Sequence, residues 1–113
     1  MLSRETRVYP NDRVKEIVAA IPRGHRHLRL AIVFDDQVIV LHEATVAAIV
    51  RAYTSVALHP SRKGIWLSGR YMGSSERKHG FAKYQIIEDH SHSEDDAVET
   101  IMEYLGMRNG DKV

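Results

Sequence analysis

The stretch Leu28–Leu58, LRLAIVFDDQVIVLHEATVAAIVRAYTSVAL, decides the fold, because no other window combines so many apolar residues with so few charges. Leu28, Leu30, Ile32 and Phe34 alternate along one strand and Ile39 and Leu41 along the next, with Asp35, Asp36 and Gln37 between them. That spacing predicts a hairpin. With Asp36 and Gln37 as its two-residue loop, Phe34 faces Ile39 and Ile32 faces Leu41, which places the six large side chains on one side. Ala31, Val33, Val38 and Val40 make the reverse side apolar too, unlike the polar back of a sheet covered on one face only. Val46, Ile49, Val50, Tyr53 and Ala57 then recur at steps of three and four, so a helix follows and is expected to cover one side of the hairpin.

Upstream, residues 1–9 show little periodicity and are expected to be a tail. Asn11 is placed to cap a first helix in which Val14, Ile17, Val18 and Ile21 form a stripe, stopped by Pro22 and Gly24. Downstream, Pro60 closes the helix after His59, and a second hairpin is expected from Ile65 to Glu88 around the loop Gly73–Gly80. Pairing Met72 with Phe81 puts Ile65, Leu67, Tyr71, Ala82, Tyr84 and Ile86 on one face. Trp66, Ser68, Arg70, Met72, Phe81, Lys83, Gln85 and Ile87 lie on the other. Ser93 with Asp96 forms a capping box for a last helix whose stripe is Ala97, Val98, Ile101, Met102 and Leu105, with Gly106 at its end and a tail over 107–113.

The fold class read from this order is α+β. It is a two-layer arrangement with a four-stranded, mainly antiparallel sheet built from two hairpins, in the order helix, hairpin, helix, hairpin, helix. At 113 residues the chain is one domain, with its ordered core over about 11–106. Its 43% hydrophobic and 27% charged fractions are those of a soluble globular protein, and no apolar run reaches the ~20 residues of a membrane helix. Neither a secretory leader nor, without cysteine, a disulfide or thiolate metal site is expected, so the chain is read as cytoplasmic.

A net charge of +1 gives no global argument for nucleic acid, but the charges are unevenly placed. Arg62, Lys63, Arg70, Arg77, Lys78 and Lys83 crowd the second hairpin and its flank, whereas Tyr84 to Gly106 holds seven carboxylates and no lysine or arginine. In the expected register Arg70 lies opposite Lys83, a repulsion that an anion would relieve. With Trp66 and Phe81 for stacking, this hairpin is the candidate anion or single-stranded nucleic-acid site. A solvated face, or a partner for the acidic last helix, accounts for the same residues.

His90 and His92 have the spacing that puts both rings on one side of an extended segment, and neighbouring carboxylates make them candidate metal ligands. Two histidines do not make a site, however, and a polar turn ending in a helix cap explains the same string. His42–Glu43 begins like a zinc-peptidase helix, but Val46 stands where the second histidine belongs. Neither Gly64–Gly69 nor Gly73–Gly80 has the residues of a phosphate loop, and Trp66 stands where a nucleophile elbow before Ser68 needs glycine.

No motif names a reaction, and no cofactor is expected. The reading is a non-enzymatic binding or accessory module that self-associates or joins a larger assembly through the back of its sheet, around Val33, Val38, Val40 and Trp66. Nucleic-acid binding by the second hairpin and a small metal enzyme at His90 and His92 are the alternatives.

Overall fold

The computed structural model of the chain describes residues 4–76 and 82–107. The seven elements are β1 (Val14–Ala20), β2 (Arg29–Phe34), β3 (Val38–His42), α1 (Glu43–Val56), β4 (Leu67–Tyr71), β5 (Tyr84–Glu88) and α2 (Glu94–Tyr104), with a short 3-10 turn at Asn11–Arg13 ahead of them. The α+β class stands. The single four-stranded sheet does not: β1, β2 and β3 form an antiparallel meander, and β4 and β5 pair separately.

The expected first helix is a strand. Val14 lies opposite Phe34 and Glu16 opposite Val33, so Lys15 is an extra residue on β1, a bulge. The bulge puts Val14 and Ile17, three apart, on the same side of the strand. A three-residue step is otherwise the mark of a helix, which is why the segment reads as one. β-branched Val14, Ile17 and Val18 suit a strand, and β2 supplies the partner. β1 takes the edge of β2 that β3 leaves open, and the second hairpin pairs apart from this meander. The helix α1 contacts β2, β3 and β5.

Both hairpins are shifted by two residues from the expected pairing. Ile32 faces Ile39 and Leu30 faces Leu41; in the second, Tyr71 faces Tyr84 and Arg70 faces Gln85. A shift of two preserves which residues share a face, because side chains alternate with period two. The first shift follows from its loop. Phe34 N–H donates to the Gln37 carbonyl at 2.8 Å, leaving Asp35 and Asp36 as the turn. Arg13 holds Asp35 at 2.7 Å, Arg7 reaches Asp36 at 3.2 Å, and Tyr9 O–H bonds Asp36 while its ring stacks on Phe34. Arg7 and Tyr9, expected in a tail, are thus docked on the hairpin.

The last helix begins as the sequence indicates. Ser93 Oγ accepts from the Asp96 N–H at 3.0 Å, Asp96 accepts from the Ser93 N–H at 2.8 Å, and Gly106 at φ 74° terminates the helix. α1 departs from expectation. Its inward side is Thr45, Val46, Ala48, Ala52, Ser55 and Val56, so that of the expected stripe Val46 turns in while Ile49, Val50 and Tyr53 stand more than half exposed. The helix has a small face and a large apolar face, and the small one is turned in, where it allows close approach.

Packing is tight only where side chains are small. Ala48 at 4% and Ala97 at 7% exposure are the buried hydrophobic residues among those described. Gly64 lies so close to α2 that a Cβ there would sit 2.9 Å from both Ala97 Cβ and the Glu94 carbonyl oxygen.

Candidate interaction surfaces

Residues directly opposite in an antiparallel ladder share a face. On the outer side of the meander the pairings therefore set three rows: Glu16–Val33–Val38, Val18–Ala31–Val40 and Ala20–Arg29–His42. Along β3 the exposure alternates with this geometry, since Ile39 and Leu41 are half-buried while Val38 and Val40 are more than half exposed. Val18 is likewise more than half exposed. Val18, Ala20, Pro22, Arg29, Ala31 and Val40 line a shallow groove of about 320 Å³ on this side. Val33, Val38 and Val40, three of the expected partner-surface residues, thus lie together.

Trp66, the fourth, lies elsewhere. It sits just ahead of β4, half-buried, with His92 stacked on its ring at 3.7 Å between centroids and 16° between planes. One face of the indole is therefore occupied by the chain itself.

The basic residues of the second hairpin are drawn apart. Arg70 pairs with Glu76 at 2.7 Å and lies opposite Gln85, so the repulsion expected from Lys83 is absent from the ladder. Arg62 reaches Glu88 at 3.2 Å and Glu94 at 3.9 Å. The Lys63 N–H donates to Glu94 at 2.7 Å, the main cause holding that carboxyl below its ordinary range. These contacts tie the basic flank to the acidic start of α2 in the same chain. Arg77, Lys78 and Phe81 lie outside the described residues, and Lys83 is exposed.

His90 and His92 turn to different neighbours. His90 Nδ1 is 3.7 Å from Glu88, and His92 Nδ1 is 3.9 Å from Asp96. Among the described residues no group of three or more His, Asp or Glu side chains is arranged to hold a metal ion. Asp89, just before them in sequence, is a structural hub. It accepts from Ser91 Oγ at 2.6 Å, Ser68 Oγ at 2.8 Å and the Ser91 N–H at 3.0 Å, and these bonds lower its carboxyl to a pKa of about 2. Its own N–H donates to the Trp66 carbonyl, so the turn before α2 is pinned to the strand beside it.

Glu43 makes the joint between meander and helix. Its carboxylate accepts from the Leu28 N–H at 2.8 Å and contacts His27 Nδ1 at 3.0 Å, and in that order these contacts hold it below the usual carboxylate range. Beside it a groove of about 700 Å³ runs between α1 and β5, with Ala47, Arg51, Tyr84 and Ile86 in its walls. The Arg51 guanidinium donates to the Ile86 carbonyl across it. The sequence reading missed this groove because it needs α1 beside β5, a placement that hydrophobic periodicity does not encode. Ser61 Oγ meets His59 Nδ1 at 3.4 Å, but in an exposed turn two residues apart, a local contact of no catalytic form.

Comparison with protein-family models, curated proteins and solved structures finds no match. Among the described residues no helix is long and apolar enough to cross a membrane. The surfaces themselves are the remaining guide to function.

Proposed function

We propose that this chain is a non-enzymatic assembly module, a small α+β subunit whose hydrophobic core is completed by association with further copies of itself. The observation that carries this reading is the exposure of large apolar side chains. Ile17, Val18, Val38, Val40, Ile49, Val50, Tyr53 and Ile101 are each more than half exposed, while the buried hydrophobic residues described are two alanines. Isolated exposed residues of this kind are ordinary; a cluster on one sheet face, as Val18, Val38 and Val40 form, marks a contact surface.

Light scattering on a sizing column tests the proposal. A mass of at least twice that of the chain is expected at micromolar concentration. A monomer that persists at high concentration, and still unfolds cooperatively, would count against it.

A further inference from the structure

We infer that the outer face of the meander is the self-association surface, and that a second copy docks on it antiparallel, with Glu16 of each copy beside Arg29 of the other. This rests on the self-assembly reading above and adds to it a face, an orientation and an ion pair.

The three rows of that face carry the argument. The middle row, Val18–Ala31–Val40, is uncharged, and its centre is an alanine. An acidic residue, Glu16, stands in one outer row and a basic one, Arg29, in the other. Among the described residues neither forms an ion pair within its own chain. Arg29 donates instead to the carbonyls of His27 and Leu28.

A twofold axis running across the strands sets each middle row on its counterpart and exchanges the outer rows. Glu16 then lies over Ala20 of the other copy, next to that copy's Arg29, within reach of a long guanidinium side chain. The small Ala31 at the centre lets the two sheets approach, and the valines around it fill the space between. Two identical ion pairs form at opposite ends of an apolar patch, the self-complementary pattern that a twofold interface requires. The exposed stripe of α1 offers no such match. Ile49, Val50 and Tyr53 are all uncharged, so nothing in that stripe sets an orientation for a second copy.

Charge reversal in the full chain tests the pairing. Glu16→Arg alone and Arg29→Glu alone each bring like charges together twice per dimer, and about a tenfold or greater weakening of self-association is expected for each. An equimolar mixture of the two single variants restores both pairs in a mixed dimer, and the double variant Glu16→Arg/Arg29→Glu restores them in a homodimer. Recovery in the mixture, read by light scattering and by native mass spectrometry of the mixed species, supports the inference, and a misfolded variant would not be rescued this way. Loss of association with no recovery in either form overturns it. Unchanged association of the single variants also overturns this face while leaving self-assembly in place. A monomeric unsubstituted chain removes both readings together.

Discussion

At the scale of single residues, the bonds of Ser68 and Ser91 to Asp89 and the reciprocal bonds of Ser93 and Asp96 fix the turn that leads into α2. The Ser93–Asp96 capping box was legible because both partners lie within one turn, and the structure has both bonds. Arg70 opposite Lys83 was not, since a hairpin's register hangs on its loop and each ladder slid by two. The sequence marked Asp89 only as one of the carboxylates beside His90 and His92, yet it gathers Ser68 from twenty-one residues away. Its lowered pKa has a consequence for stability. A carboxylate more acidic in the folded than in the unfolded chain stabilises the fold above the unfolded value, near 3.8, and loses that contribution as pH falls towards about 2. Asp89→Asn is therefore expected to lower stability by an amount that is constant at neutral pH and shrinks across that window. Urea unfolding of both proteins at a series of pH values measures it, and a difference that does not change with pH would contradict the assignment.

At the scale of elements, hydrophobic period identified β2, β3, β4, β5, α1 and α2, and failed at β1. The failure has a physical source in the bulge at Lys15, which gives a strand one helical-looking step. In α1 the period correctly found an apolar stripe but could not say which side of a two-faced helix turns inward. Small residues settled that. At Gly64 the chain comes up against Ala97 and Glu94 of α2, and one of these partners is backbone that cannot rotate away. Gly64→Ala is expected to cost about 1–3 kcal/mol by pushing α2 off the chain ahead of β4. Chemical denaturation would show it as a lower midpoint. A midpoint unchanged from that of the unsubstituted protein would mean that α2 shifts freely and is not seated there.

At the scale of the whole molecule, the α+β class was readable from the succession of elements, and so was an apolar reverse side of the first hairpin. The division into two sheets was not, because sheet membership depends on which edge each strand reaches first. A subunit that exposes this much apolar surface should draw part of its stability from association. Its thermal midpoint is accordingly expected to rise with protein concentration, as mass action requires when folding and assembly are linked. Calorimetry over a hundredfold dilution series would register the trend, and a midpoint indifferent to dilution would speak for a self-sufficient monomer.

The clamp of Arg7, Tyr9 and Arg13 on the aspartate loop also imposes a timetable on synthesis. Twenty-nine residues separate Arg7 from Asp36. At roughly 5–20 residues per second of translation, the amino-terminal arm waits about 1.5–6 s for the bend it will grip. The arm is made before its partner and fastened late, so a nascent chain stalled before Asp36 carries a cationic, aromatic-bearing segment with nothing yet to hold.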